Sequence, residues 1–176
     1  MKKQHSERLQ PRSFPVVSWI FTLLLVLITF RIGAEMPHGL NADGLGVMGV
    51  CLAGVSLVRR IMGSRIILTG AEIRVVNPLI THSVPLRLIK SVDSDGTLTI
   101  TTVNGSEIRS TAFGGSVIDN FVGTTDRAVD RINSQLRRAF PAGGNGLIVK
   151  RYTIAWIADV CTACALVCGV MAFAVA

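Results

Sequence analysis

Residues 65–113, RIILTGAEIRVVNPLITHSVPLRLIKSVDSDGTLTITTVNGSEIRSTAF, carry the pattern that decides the fold. RIILT (65–69) and EIRVVN (72–77) flank Gly70, a natural turn position, and Ile73 and Val75 alternate with Arg74 and Val76. A period of two sends successive side chains to opposite faces of an extended strand. LITHSVPLRLIKSV (79–92) reads as a third and a fourth short strand, interrupted near Pro85, which has no N–H to give a ladder. Asp95–Gly96 signals a turn, after which TLTITTV (97–103) sets Leu98 and Ile100 on one face and threonines on the other. Asn104–Gly105 predicts a type I′ hairpin, whose two central residues both need positive φ, and SEIRSTAF (106–113) returns.

Gly114–Gly115 break the pattern, and the period changes. Between Ser116 and Arg138, Ile118, Phe121, Val122, Val129, Ile132 and Leu136 fall largely at helical spacing. Asp126, Arg127, Asp130, Arg131 and Arg137 take the other side. This predicts one amphipathic helix closing an end or face of the sheet, with Arg137–Arg138 suited to the negative end of its dipole. Residues 61–140 are therefore expected to be a small α+β domain of short antiparallel strands capped by one helix.

The rest of the chain is a different material. Charged residues are only 16% of the 176, and mean hydropathy is +0.51, against roughly 25% charged in soluble proteins. Phe14 to Phe30 supplies 17 uncharged residues, extended by Ile32 beyond Arg31, close to the ~20 that a helix needs to cross ~30 Å of hydrocarbon. The run is long for the apolar core of a signal peptide, and only Gly33–Ala34 resembles a cleavage site, so an uncleaved helix is expected. Pro37 and Gly39 end it. Leu45 to Val58 is a second, shorter run, with Gly46, Gly49, Ala53 and Gly54 at spacings that let helix backbones approach. Tyr152 to Ala176 is a third. The expected plan is a basic tail over 1–13, poorly ordered; a helical hairpin over 14–60; the domain over 61–140; a flexible linker over 141–151 beginning PAGGNG; and a last span over 152–176.

The formal charge of +7 sits at the flanks of these runs. Lys2, Lys3, Arg8 and Arg12 precede the first, Arg59 and Arg60 follow the second, and Lys150 and Arg151 precede the third. Between Arg59 and Phe140 there are 11 basic and 7 acidic residues, too mild an excess for a nucleic-acid-binding surface. Basic flanks mark the cytoplasmic ends of spans, and Phe14, Trp19, Tyr152 and Trp156 fall toward the same ends, as interfacial aromatics do. The expected localisation is the cell membrane, multi-pass, with the amino terminus and the domain cytoplasmic and the 31–43 loop and carboxyl terminus outside.

Several strands followed by one helix, with RIILTGAEIRVVNPLITHSVPLRLIKSV at the start, resembles bacterial pleckstrin-homology (PH) domains attached to membrane helices. The likeness is to the actinobacterial group with a helical hairpin in front, in which two strands lead to an apolar–Pro–aromatic–x–x–Ile segment. Here that segment is Val84–Pro85–Leu86–Arg87–Leu88–Ile89, with Leu86 where the group usually has tryptophan. The resemblance implies a PH-like barrel, seven strands of bent sheet capped by one carboxyl-terminal helix, and a role in binding rather than chemistry. Eukaryotic relatives often hold phosphoinositides, a ligand that does not carry over automatically to bacterial domains.

No catalytic constellation is legible. Cys161, Cys164 and Cys168 share a helix face, but no histidine stands near them in sequence, and cysteine is also a small packing residue. His5, His38 and His82 fall in three different segments, no nucleophile has an identifiable base, and the glycine-rich pieces lack phosphate-loop spacing. No metal or other cofactor is expected. Arg65, Arg74, Arg87, Lys90 and Arg109 are the candidate basic patch for anionic headgroups or a partner. Asp159 lies eight residues beyond Arg151, about 12 Å along a continuous helix at ~1.5 Å per residue. An acid at that depth is a candidate intramembrane polar site, open to pairing with Arg59 or Arg60. Two functions follow. The first is a non-enzymatic scaffold whose domain binds a protein partner, a neighbouring copy or membrane lipids. The second is a small accessory subunit of a transporter or stress-sensing complex, with Asp159 acting inside the bilayer.

Overall fold

The computed structural model describes residues 7–11, 13–34, 41–94, 97–113, 124–136 and 146–175. The protein is α+β, and its contacts divide it into two units. One combines the chain up to Pro11 with Gly63–Thr153; the other combines Arg12–Met62 with Ile154–Ala176.

The first unit contains two antiparallel sheets. Strands β1 (Glu7–Leu9), β2 (Arg65–Leu68), β3 (Glu72–Val76), β4 (Ile80–Pro85) and β8 (Val149–Tyr152) form one, in the order β1-β2-β3-β4-β8. Strands β5 (Ile89–Asp93), β6 (Thr99–Thr102) and β7 (Glu107–Arg109) form the other, in sequential order. Pro85 and a 3-10 turn over Leu86–Leu88 separate them, and bonding to the β3 side ends one residue past the proline, with the Leu86 N–H donating to the Ala71 carbonyl at 3.1 Å. The ladders do not close into a barrel among the described residues, in place of the single bent sheet of seven strands that the resemblance implies.

Alternation puts one face of each strand inward. Ile66 and Leu68, Ile73 and Val75, Val84, Val92, Leu98, Ile100 and Ile108 are buried from both sheets into one core. Helix α3 (Thr124–Leu136) adds Ala128 and Ile132, both buried, with Val129 and Leu136 partly so. Asp126, Arg127, Asp130 and Arg131 face outward as the helical period requires. Ile118, Phe121, Val122, the Asp95–Gly96 turn and Arg137–Arg138 lie outside the described residues.

The β6–β7 turn differs from the type I′ expectation. Only Gly105 takes positive φ, at 77°, and no non-glycine residue does. The Thr102 carbonyl accepts from the Gly105 N–H at 2.9 Å, and the Thr102 N–H reaches the Ser106 carbonyl at 3.0 Å. This is a three-residue loop in which glycine alone takes the left-handed position, so Asn104 need not adopt it. Thr102 Oγ1 closes the turn further, donating to the Ser106 carbonyl at 3.0 Å and accepting from the Ser106 N–H at 3.1 Å.

Two further expectations need correction, and both concern the sheet's ends. The amino-terminal tail is not wholly irregular: Glu7, Arg8 and Leu9 pair with Leu68, Ile67 and Ile66. Leu9 packs on the core, and Arg131 Nε of α3 donates to Glu7 Oε1 at 3.0 Å. Nor is 141–151 all linker. Ile148 packs on the core and Val149–Tyr152 pairs with β4, from Ser83↔Val149 to Ile80↔Tyr152. The two sheets together hold eight strands among the described residues, rather than seven.

The second unit is three apolar helices: α1 (Ser13–Ala34), α2 (Ala42–Met62) and α4 (Trp156–Val175). All three are long and apolar enough to cross a membrane, consistent with a multi-pass membrane protein. Helix α2 packs against both others. A Cβ on Gly49 would meet the Ala165 carbonyl oxygen at 3.3 Å and Cys168 Cβ at 3.5 Å, so its hydrogen side chain is what lets α2 and α4 come this close. Gly54 meets Leu25 Cδ1 of α1 at 3.3 Å. Gly46 and Ala53 instead line an open cleft beside α4 with Val50, Leu57 and Leu166.

Candidate binding surface and helix-end charge cluster

The five candidate cations do not form one patch. Arg65 and Arg74 lie on the outer face of the five-stranded sheet, opposite to the inward Ile66, Ile73 and Val75. Arg87 is exposed on the 3-10 turn, Lys90 is exposed at the β5 bulge, and Arg109 lies on β7 of the other sheet, 3.6 Å from Glu107. The register brings in two arginines that sequence reading had assigned to membrane flanks. Arg8 sits across from Ile67, which in turn sits across from Arg74, so all three share the outer face. Arg151 sits across from Thr81, and Thr81 from Val76, which puts Arg151 on that face too. The outer face thus carries Arg8, Arg65, Arg74 and Arg151, against Glu72, which pairs with Arg74. Crowding there is physical: burial first, and then the Arg8 charge, lower the pKa of Arg65 from its ordinary value. Arg65 Nη1 finds compensation in the Gly63 carbonyl at 3.1 Å.

Asn77 was not singled out in the sequence, although Asn-Pro is a turn signal. Its Nδ2 donates to the Arg109 carbonyl at 2.9 Å and its Oδ1 accepts the Thr111 N–H at 2.9 Å. One side chain thereby fastens the β3–β4 hairpin of the first sheet to the end of the second. On the other flank of the hairpin, the Thr153 N–H donates to the Leu79 carbonyl at 2.9 Å, and the Thr81 and Thr153 hydroxyls meet at 2.8 Å. His82 follows on β4; burial, and then Lys150, hold its pKa below the ordinary 6.5. His5 and His38 lie outside the described residues.

Asp159 is not deep in a helix. Helix α4 starts at Trp156, because the residues before it continue the sheet as β8, and Asp159 falls in its first turn. It lies about 4.5 Å along the axis from Trp156 at ~1.5 Å per residue, and the residues between Trp156 and Arg151 are not helical. There Oδ2 accepts the Ala155 N–H at 3.1 Å, satisfying a donor that the helix leaves open. A carboxylate is also favoured at the positive end of the helix dipole. Oδ1 accepts from Arg60 Nη2 in an ion pair, and Arg60 stands in the last turn of α2. Beside it, the Arg59 guanidinium lies 4.3 Å from the centroid of the Trp19 ring, and Arg59 Nη1 reaches Ser18 Oγ at 3.4 Å. The beginnings of α1 and α4 and the end of α2 are therefore joined by charge, aromatic face and hydroxyl. One turn further along, Ser56 Oγ and Thr162 Oγ1 bond across α2 and α4 at 2.6 Å. Cys51, Cys161, Cys164 and Cys168 are free thiols, and no group of metal-ligating side chains occurs among the described residues.

Neither a protein-family model, nor a curated protein, nor a solved structure matches this chain.

Proposed function

We propose that this chain is a non-enzymatic membrane scaffold that presents a PH-like module on the cytoplasmic side of the cell membrane, with the arginine-bearing outer face of the five-stranded sheet as its recognition surface. The PH-like reading is supported by the order of parts: a three-strand meander, β2–β4, a second one, β5–β7, and then α3 over their shared core. The cytoplasmic placement is supported by the basic flanks at Lys2, Lys3, Arg59, Arg60, Lys150 and Arg151. The observation that carries the functional reading is the four arginines gathered on one sheet face of a domain that the chain enters and leaves through three short connections to the apolar helices. A module so tethered is held at the bilayer at high effective concentration, which suits presentation to a partner. The partner that fits is a protein carrying an acidic segment.

The expected pairing of Asp159 with Arg60, together with its bond to the Ala155 N–H, supports a packing role for this side chain at the start of α4. The accessory-subunit reading is not carried further.

A photoreactive residue replacing Ile67, between Arg8 and Arg74 on the outer face, tests the proposal in intact cells. A discrete protein adduct that disappears when Arg8 and Arg74 are both changed to glutamate is the expected result. Adducts only with lipid would overturn it.

A further inference from the structure

The tip of the β3–β4 hairpin exposes the wrong kind of side chain for a water-facing turn. Leu79 is 57% exposed and Ile80 45%, and Tyr152, directly across from Ile80 on β8, is 59% exposed. The three form a small apolar cap at one end of the five-stranded sheet. Lys150 and Arg151 follow immediately down β8, both exposed, so the cap has a basic collar. The cap is held from both sides, by Asn77 to the second sheet and by Thr153 to Leu79, and so is presented rather than floppy.

Chain connectivity then says where this cap must be. The ladder runs to the end of β8, with the Thr153 N–H bonded to the Leu79 carbonyl. Helix α4 starts at Trp156. Three residues span at most about 11 Å fully extended. The headgroup layer on each side of the hydrocarbon is of similar thickness, about 5–8 Å. Chain length alone therefore tethers Thr153, to which the tip is bonded, within little more than that thickness of the start of α4. We infer that Leu79, Ile80 and Tyr152 insert into the headgroup–acyl boundary of an anionic bilayer, with Lys150 and Arg151 against the lipid phosphates. Apolar side chains gain by leaving water, tyrosine favours the interface because its ring is apolar and its hydroxyl polar, and basic residues are drawn to an anionic surface. This rests on the scaffold reading and deepens it by naming a lipid contact that fixes the module at the hairpin tip, which shares only Arg151 with the outer arginine face.

The test uses the full chain reconstituted in vesicles of phosphatidylcholine and phosphatidylglycerol, with an environment-sensitive fluorescent amino acid at position 79 and, as control, at position 104 on the β6–β7 turn. At position 79 we expect several-fold protection from aqueous iodide, quenching by lipids brominated high on the acyl chain, and loss of both in an Ile80→Asp, Tyr152→Asp background. At position 104 we expect full iodide access. Equal iodide access at both positions, or a position 79 unaffected by the two aspartates, would overturn the inference. Protection in pure phosphatidylcholine as strong as in the anionic mixture would overturn the role of Lys150 and Arg151. The Ile67 crosslink is read separately, so a tip that inserts without any protein adduct sinks the scaffold proposal alone, and the reverse sinks the inference alone.

Discussion

Arg60 and Asp159 show what a single pair does in this molecule. Both are partly withdrawn from solvent, with 13% and 32% of their side chains exposed, and Asp159 also closes the first turn of α4. Asp159→Asn keeps the shape but removes the charge that Asp159 sets against Arg60. It should lower stability in detergent by on the order of 1–3 kcal/mol, the cost of a buried polar group deprived of its partner. Arg60→Gln combined with Asp159→Asn should cost clearly less than the two single changes added, because removing both charges leaves neither orphaned. Thermal unfolding of the four proteins measures this, and strict additivity would remove the pair from the account. His82 makes the second prediction at this scale. Its folded pKa lies below the ordinary 6.5, because burial and Lys150 disfavour the imidazolium. The unfolded chain therefore takes up the proton first as pH falls. The stability tied to neutral His82 is fully present above 6.5 and is lost as pH drops through the lower folded value. Melting temperature should decline from pH 7.5 toward pH 5, and His82→Gln should flatten that slope.

Among the elements, those that repeat a local pattern were legible and those that depend on distant partners were not. β3 announces itself because Ile73 and Val75 alternate with Arg74, and β6 because Leu98 and Ile100 alternate with threonine. The α3 stripe of Val129, Ile132 and Leu136 follows the helical period in the same way. β1 has three residues, two of them charged, and acquires its structure from β2, more than fifty residues later. β8 contains Lys150 and Arg151, which look like a membrane flank and are also rungs of a ladder. Missing β8 had a consequence for the candidate site. It carried the last helix back toward Arg151 and so set Asp159 inside a continuous helix instead of in the first turn of α4. Of the five candidate cations only Arg65 and Arg74 proved to share a face, since register across strands cannot be read from one strand's sequence. Helix α3 gives the prediction at this scale. Ile132 is fully buried in the core shared by the two sheets, so Ile132→Ala should destabilise the protein by about 2–5 kcal/mol. Arg131→Ala, which removes the exposed ion pair with Glu7, should cost no more than about 1 kcal/mol. Guanidinium unfolding of the detergent-solubilised chain would check the ranking, and a reversed order would mean that α3 is held by its charges and not by its apolar stripe.

For the molecule as a whole, the short strand β1 constrains membrane topology without any appeal to charge. It precedes α1, yet its partner β2 follows α2. Two strands can share hydrogen bonds only on the same side of a membrane, so α1 and α2 must between them return the chain to where it began. The last helix α4 then follows β8, which is paired within the same sheet. If all three helices cross, the amino terminus and the sheet unit lie on one side and the carboxyl terminus on the other. The basic flanks point to that arrangement by a separate route and are the ground for the proposed direction, cytoplasmic for the sheet. A short epitope placed at the amino terminus, within the β6–β7 turn after Asn104, or at the carboxyl terminus should report it in protease-treated spheroplasts and inverted vesicles. The first two epitopes should be protected in spheroplasts and cleaved in inverted vesicles, with the third behaving oppositely. An amino terminus and a turn found on opposite sides would make the β1–β2 ladder impossible in the membrane, and with it the tethering from three connections on which the scaffold reading depends.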